Sequence, residues 1–212
     1  KLIAAACDAG VKFANMTSVD DVEAWIDRAP ENVYFLVDEA YVEFVDSPDY
    51  RTLDQLAYRH PRVLVARTFS KVYGMAGLRL GYAVAHPEMS GRLRSFAAGT
   101  NCNHLALLAG HAALGDREWV ARSISTNRES REMLYGVLDE LSLEYIPSHT
   151  NFVLHQIHGE LREYIRRMAD AGFRVGRPFP PMTGYNRLSM GLPSQMERFA
   201  GTIRDFRRRG WI

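Results

Sequence analysis

The chain has 212 residues, of which 47% are hydrophobic, and this supports a globular protein of one or two domains. Its 26 basic and 25 acidic residues leave a net charge of +1, which argues against nucleic-acid binding through bulk charge. No apolar run approaches the ~18 residues of a membrane span. The two cysteines provide neither a disulfide framework nor a zinc-binding spacing, so we expect a reducing, cytoplasmic setting.

The first half of the chain has the pattern of an α/β domain. The short apolar run 33–37 predicts a strand buried on both faces, as in parallel sheets. Helical spacing over 50–59 and a second buried strand over 62–67 complete a βαβ unit. The elements predicted next are a strand over 80–85 and helices over 87–96 and 103–114.

The second half alternates helices with short strands, which predicts an α+β arrangement. A long helix over 116–141 begins at the capping residue Asp116, and later helices cover 160–171, ending at Gly172, and 193–208. Strands are predicted over 143–146, 151–155, 173–175 and 187–190. We assign residues 1–115 to part of a large domain and residues 116–212 to a small C-terminal domain joined through the long helix.

Lysine is almost absent from this arginine-rich chain. Three of the 26 basic residues are lysines, at positions 1, 12 and 71, so the other 23 are arginines. Lys71 is therefore the single lysine after residue 12, and it follows the second buried strand. This isolation makes Lys71 a candidate for chemistry that requires a primary amine.

Polar residues follow both buried strands where ligands bind in open α/β sheets. Asp38 follows the first strand, Thr68, Ser70 and Lys71 follow the second, and Arg79 lies across a glycine-bearing loop. Taken singly, each is an ordinary turn or surface residue. Together they meet the needs of pyridoxal phosphate: an amine for an imine with its aldehyde, a carboxylate for its pyridine nitrogen, and hydroxyls with an arginine for its phosphate.

The segments 37–41 and 68–82 resemble fold-type I pyridoxal-phosphate aminotransferases, most closely the histidinol-phosphate aminotransferase group. The resemblance implies an α/β fold, with a mostly parallel-sheet large domain, incomplete in this chain, and a smaller α+β domain. By that resemblance, Asp38 bonds the pyridine nitrogen and Tyr41 the ring oxygen. Lys71 holds the cofactor as an imine and then moves the substrate proton. The residues implied to hold the phosphate are Thr68, Ser70 and Arg79.

Two later segments, 148–154 and 187–191, resemble strands of the family's small domain. The resemblance implies that Arg187 receives the substrate's carboxylate or phosphate and that Asn151, of the Asn-Phe pair, belongs to the substrate site. The family has adjacent valine and arginine residues where Gly176 here separates Val175 from Arg177. Arg177 therefore has two open interpretations, as a substrate phosphate ligand or as a solvent-facing residue at a proline-rich turn.

The resemblance implies amino exchange between histidinol phosphate and 2-oxoglutarate or glutamate, in histidine biosynthesis, by a cytoplasmic homodimer. The alternatives are an aminotransferase for aromatic or other amino acids, a pyridoxal-phosphate decarboxylase on the same scaffold, and an inactive fragment. The histidines do not cluster with acidic residues, so we expect no metal site, and we expect neither a nucleic-acid nor a membrane partner.

The N-terminal part departs from the family pattern. The family has an Asn-Pro loop before the Asp38 strand, and a long N-terminal segment with a phosphate loop and a stacking aromatic residue. Here the segment 13–17 runs directly into the next helix. We therefore expect that residues are omitted from the sequence. The apolar stretch 1–7 is interpreted as a helix ending near Gly10 and not as a leader peptide.

Overall fold

The computed structural model describes residues 18–97, 102–178, 180 and 182–212. The expectations for Lys1, Lys12, Gly10 and the segment 13–17 lie outside these residues. The described residues form two compact units that interleave along the sequence: the first comprises 18–39, 46–67 and 82–97, and the second comprises 40–45, 68–81 and the described residues from 102 to 212. The domain boundary expected between residues 115 and 116 stays a prediction.

The first unit contains a parallel strand pair with helical connections. Its elements are α1 (Val19–Arg28), β1 (Phe35–Asp38), α2 (Asp54–Arg59), β2 (Val63–Thr68), β3 (Gly81–Ala85) and α3 (Pro87–Arg94), of which only the end residues Thr68 and Gly81 belong to the second unit. Strands β1 and β2 are parallel, with Asp38 opposite Ala66, and β3 is the other neighbour of β2. The predicted βαβ unit is confirmed, with α2 as its crossover helix.

The apolar core of this unit lies on one face of β1. Val22 and Ile26 of α1 pack with Leu56 of α2 and with the sheet, next to Phe35 and Val37. The side chain of Leu36, which points to the opposite face, is 60% exposed. The expectation that β1 is buried on both faces is therefore wrong. In the described part of the chain, the apolar core packs on the side of Phe35 and Val37.

The second unit is α+β. Its helices and strands are α4 (His104–Gly115), α5 (Arg117–Glu140), β4 (Tyr145–Ile146), β5 (Phe152–Gln156), α6 (Leu161–Asp170), β6 (Tyr185–Ser189) and α7 (Pro193–Arg208). The strands form an antiparallel sheet with β5 in the centre. Asp116 caps α5 by accepting a hydrogen bond from the Trp119 amide, as predicted. Gly172 follows α6 at φ 85°, a left-handed conformation that glycine adopts readily.

One predicted strand of the second unit is wrong. Residues 173–178 have no regular secondary structure. The Gly176 amide donates a hydrogen bond to the Arg187 carbonyl of β6, at 2.9 Å. The segment therefore contacts the edge of the sheet through this bond without becoming a strand.

The core of the second unit contains a buried histidine. His155 of β5 is fully buried, with its Nε2 3.4 Å from the hydroxyl of Tyr164, and the ring of Phe199 packs edge-on against it. Burial lowers the pKa of His155 to about 4, because the charged imidazolium would lose its hydration there. The neutral imidazole is thus the form that this core accommodates.

We expect the second unit to lose stability when the pH falls from about 6.5 towards 4. The folded state binds the His155 proton more weakly than the unfolded chain does, so acid favours unfolding, by about 3 kcal/mol over this range. Denaturant unfolding at a series of pH values measures this loss. His155→Gln should remove that part of the pH dependence, whereas His158→Gln, at an exposed position, should retain it.

Candidate active site

The loop that carries Lys71 leaves β2 through a hydrogen-bonded turn. The Thr68 and Ser70 hydroxyl oxygens are 2.9 Å apart, and the Ser70 amide donates to Thr68 Oγ1 at 3.0 Å. The Phe69 amide donates to the Leu80 carbonyl at 3.1 Å, which joins the loop's two ends. Two hydroxyls, suited to binding an anionic oxygen, thus lie within three residues of the amine-bearing side chain.

A hydrogen bond from Trp119 connects the loop that carries Lys71, residues 69–80 (the lysine loop), to the start of α5. Its indole N–H donates to the carbonyl of Val72, the buried residue after Lys71, at 3.0 Å. This contact and the Asp116 cap hold α5 and the loop in one arrangement. No sequence motif pointed to this role for Trp119.

Arg79 has a strained backbone conformation. It follows the short 3₁₀ turn Ala76–Leu78, with φ 54° and ψ 46°, which a residue with a Cβ rarely adopts. Its Nη1 donates to the Ala76 carbonyl at 2.6 Å. Strain of this kind concentrates at functional sites. The hydrogen bond to Ala76 holds the guanidinium of Arg79 on a turn within the loop that also carries Lys71.

An aromatic path connects Lys71 with β6 inside the second unit. Lys71 Nζ is 5.0 Å from the centroid of the Tyr41 ring. Tyr41 packs edge-on against Phe152, with the ring centroids 5.6 Å apart. On Phe152, the first residue of β5, the guanidinium of Arg187 lies 4.2 Å from the ring centroid. An amine and a guanidinium are thus held on two aromatic rings that touch each other.

Three arginines line a small cavity beside β6. Arg174, Arg177 and Arg187 surround about 180 Å³, together with Val175, Gly176 and Ser189. Guanidinium groups bind carboxylates and phosphates through paired, charge-assisted hydrogen bonds. The cavity therefore has the charge and donor chemistry for an anionic group, and it brings the predicted residues Arg177 and Arg187 together.

Gly176 allows the close approach that forms this cavity. A Cβ on residue 176 would overlap the Arg187 carbonyl oxygen and lie 3.1 Å from Arg187 Cβ. We expect Gly176→Ala to cost about 1–3 kcal/mol of folding free energy, because the backbone of β6 cannot yield easily to an added methyl group. Denaturant unfolding measures the loss. Gly201→Ala is the control, since a Cβ there has no neighbour within 4 Å and the helix gains propensity.

The remaining predicted residues lie at strand ends. Asp38 is the last residue of β1 and belongs to the first unit, whereas the lysine loop belongs to the second. Asn151 directly precedes β5, where its carbonyl accepts the Met190 amide at 2.8 Å. Their roles at the site stay predictions.

Two residues of the site were assigned no role from sequence. The resemblance implies no role for Phe152, the second residue of the Asn-Phe pair, or for Arg174, which directly precedes Val175. For Phe152, the available signal was an aromatic residue at the start of a strand, with an arginine-bearing strand later in the chain. For Arg174, it was a second arginine, Arg177, three positions later. Neither pattern is specific without the fold.

Other kinds of site receive no support from the described residues. Within 18–97, 102–178, 180 and 182–212, no three His, Cys, Asp or Glu side chains form a group that could hold a metal ion. Over the same ranges, every helix is too short or too polar to cross a membrane.

Comparison with known proteins gives a family match over most of the chain. The family model described as Aminotransferase class I and II matches residues 14–203. Histidinol-phosphate aminotransferase of Symbiobacterium thermophilum is 39% identical over 87% of this chain and 51% of its own length. Histidinol-phosphate aminotransferase 2 of Hydrogenovibrio crunogenus is 35% identical over 85% and 49%, respectively. The chain thus spans about half the length of these curated relatives.

Solved structures show the same fold. A crystal structure described as a putative histidinol-phosphate aminotransferase from Erwinia carotovora atroseptica has a TM-score of 0.88 and 40% identity, over 92% of this chain and 57% of its own. Histidinol-phosphate aminotransferase from Sinorhizobium meliloti, in complex with pyridoxal-5'-phosphate, has a TM-score of 0.80 and 26% identity, over 90% and 54%. The described α/β fold therefore matches part of the fold-type I aminotransferase fold.

Proposed function

We propose that this chain, which belongs to the aminotransferase class I and II family, carries the lysine-bearing part of the active site of a histidinol-phosphate aminotransferase. The reaction is amino exchange between a phosphorylated amine and the glutamate/2-oxoglutarate pair. The single observation that carries the proposal is the path from Lys71 through Tyr41 and Phe152 to Arg187. It places an amine and an anion-binding group on opposite ends of one aromatic surface.

The cofactor of this family is pyridoxal 5'-phosphate, which acts as an electron sink for the substrate's reacting carbon. The described residues fit such a group by their chemistry: a primary amine at Lys71, two adjacent hydroxyls at Thr68 and Ser70, and a strained arginine at position 79. We assign Lys71 to hold the cofactor and to move the substrate proton. Asp38 is assigned to its ring nitrogen, and Tyr41, which faces the Lys71 amine, to its ring oxygen.

The phosphate-binding residues lead to a direct prediction for Arg79. We expect Arg79→Gly to weaken cofactor binding by about 10- to 100-fold, because the charge-assisted bonds to the phosphate are lost. The stability of the cofactor-free protein should change by less than about 1 kcal/mol, since glycine relieves the backbone strain but adds freedom to the unfolded chain. Cofactor titration and denaturant unfolding check the two parts. A large loss of stability with unchanged affinity would contradict the assignment.

The arginine-lined cavity supports the choice of substrate class. Three arginines lining about 180 Å³ suit a dianionic phosphate better than a single carboxylate, because each brings additional donors and positive charge. We assign Arg187 and Arg177 to the substrate's anionic group, with Arg174 beside them, and Asn151 to the same site. The homodimer expected from the resemblance is part of this proposal.

A single-turnover screen tests the function. The chain is loaded with pyridoxal phosphate, and the visible band of the lysine-bound cofactor is followed after addition of histidinol phosphate, phenylalanine or glutamate. We expect histidinol phosphate to discharge the band fastest and glutamate to yield 2-oxoglutarate. Preference for phenylalanine would favour an aromatic aminotransferase, and release of carbon dioxide would favour a decarboxylase. A chain that develops no band would be an inactive fragment.

A further inference from the structure

Glu39, which follows Asp38, and Arg67, which precedes Thr68, form a buried ion pair. The Glu39 side chain is 1% exposed and that of Arg67 is 16% exposed, and both belong to the first unit. The guanidinium of Arg67 donates to Glu39 Oε2 from Nε at 3.0 Å and from Nη2 at 2.8 Å. The pair therefore joins the carboxyl ends of β1 and β2 through side chains as well as through the backbone.

Glu39 is the acceptor at the centre of a hydrogen-bonded cluster. Its Oε1 accepts from the Leu53 amide at 2.7 Å, from Thr52 Oγ1 at 2.9 Å and from the Tyr50 hydroxyl at 3.2 Å. Burial raises the pKa of Tyr50, and the adjacent Glu39 carboxylate raises it further. One carboxylate thus fixes the end of β1 to the chain that enters α2 as well as to β2.

Arg67 extends the cluster in two further directions. Its Nη2 is 3.3 Å from Asp54 Oδ2, in the first turn of α2. Burial by itself would lower the pKa of Arg67, but hydrogen bonds to Tyr82 of β3 and to Glu39 reverse this and raise it. Arg67 therefore connects its own strand with β1, with β3 and with α2.

The ion pair lies on the opposite face of β1 from Asp38. Side chains alternate along a strand, and Phe35 and Val37 face the covered side while Leu36 and Asp38 are exposed. Glu39 continues the covered side, and its amide donates to the Ala66 carbonyl at 2.9 Å. A side chain on this face is placed to fix the backbone that carries the groups assigned to the cofactor.

We propose that Glu39 and Arg67 are positioning residues that fix the carboxyl ends of β1, which bears Asp38, and of β2, which leads into the Thr68–Lys71 segment, and that cofactor binding depends on them. This inference rests on the proposed function. Stability alone is a weak reason for burying such a pair, because well-packed apolar residues commonly serve a fold as well or better. The fork between Glu39 and Arg67 instead defines a distance and an orientation between two adjacent strand ends.

The test compares Glu39→Gln with Ile26→Ala, which removes core packing in the same unit away from the strand ends. Each variant is measured at the temperature at which its loss in free energy of unfolding, relative to the unaltered chain, is the same. Three quantities are then measured: the dissociation constant of pyridoxal phosphate, the visible circular dichroism of the bound cofactor at saturation, and the amide exchange of residues 66–70 in the cofactor-free protein. The first two report the binding geometry and the third reports the strand ends themselves.

We expect Glu39→Gln to raise the dissociation constant at least 10-fold, to change the circular dichroism per bound cofactor and to accelerate exchange at 66–70. Ile26→Ala should leave the circular dichroism unchanged. Arg67→Lys, which keeps the charge but loses the fork, should fall between the two. Because the pair acts as a unit, the double variant Glu39→Gln/Arg67→Gln should raise the dissociation constant of pyridoxal phosphate little more than the more harmful single variant does.

Equal behaviour of Glu39→Gln and Ile26→Ala in all three measurements would overturn the positioning role and leave only a structural one. If Glu39→Gln does not fold, Thr52→Val, which removes one hydroxyl donor to Glu39, serves in its place. If the unaltered chain binds no pyridoxal phosphate, the proposed function fails. Amide exchange still tests the positioning role of Glu39 and Arg67 in that case. Unchanged exchange at residues 66–70 in Glu39→Gln overturns this role, and faster exchange there in Glu39→Gln but not in Ile26→Ala supports it.

Discussion

Replacing Lys71 with alanine is expected to abolish the visible band of the bound cofactor and to lower turnover by at least about 10³-fold. The amine is assigned both the covalent attachment and the proton transfer, and loss of a general acid–base group alone costs about 10²–10⁴-fold. Absorbance after cofactor loading and initial-rate kinetics measure the two effects. Lys71→Arg keeps a positive charge over Tyr41 but provides no amine that can attach, so it should fail in the same way.

Chemical labelling gives a second measurement of the same assignment. Borohydride reduction of the loaded protein followed by peptide mapping should place the pyridoxyl group on Lys71. The chain is favourable for this experiment because its two other lysines are at positions 1 and 12. A label on either of those residues, or full activity in Lys71→Ala, would rule out Lys71 as the cofactor-binding residue.

Replacing Arg187 with lysine is expected to raise the Michaelis constant strongly while leaving the spectrum of the bound cofactor intact. Lysine keeps the charge but cannot make two parallel hydrogen bonds to a carboxylate or phosphate, nor stack its planar group on Phe152 as Arg187 does at 4.2 Å. Losing such a contact costs roughly 2–5 kcal/mol in binding. Arg162→Lys, at an exposed position of α6, is the matched control and should be silent.

The neighbouring arginines decide which anion Arg187 binds. If Arg177 serves the substrate's phosphate, Arg177→Ala should erase a preference for histidinol phosphate over phenylalanine and leave reaction with phenylalanine unchanged. Arg174→Ala tests the third arginine of the cavity in the same way. A silent Arg177→Ala would instead support the solvent-facing interpretation of this residue. An unchanged Michaelis constant for every substrate in Arg187→Lys would exclude Arg187 as the anchor.

Local patterns were sufficient to predict most elements of the fold. The amphipathic stripe of α7, its start at Pro193 and its buried residues follow from helical periodicity, and the end of α6 follows from Gly172. The order strand–helix–strand predicted the parallel pairing of β1 and β2. These features depend on neighbours a few residues apart, which the sequence states directly.

Whether a residue is buried depends on which elements pack against it, and the sequence does not state these partners. An apolar run such as 33–37 predicts a strand in a two-sided core, yet Leu36 is 60% exposed, because the apolar core of the first unit packs against Phe35 and Val37, on the other face of β1. The segment 173–175 has the composition of a strand, but its backbone meets β6 through the Gly176 amide without forming one.

The same distinction, between local features and contacts of residues distant in sequence, applies to the candidate site. Residue chemistry and position singled out the isolated Lys71 and the polar residues at the strand ends as candidates, and the family resemblance added the arginine of β6. Only the tertiary structure decided that Phe152 lies between Tyr41 and Arg187, and that Arg174 joins Arg177 and Arg187 around one cavity. It likewise joined Glu39 to Arg67, 28 positions apart. Such contacts arise from strand pairing and chain reversal between residues distant in sequence, whereas residue type and spacing report only local structure.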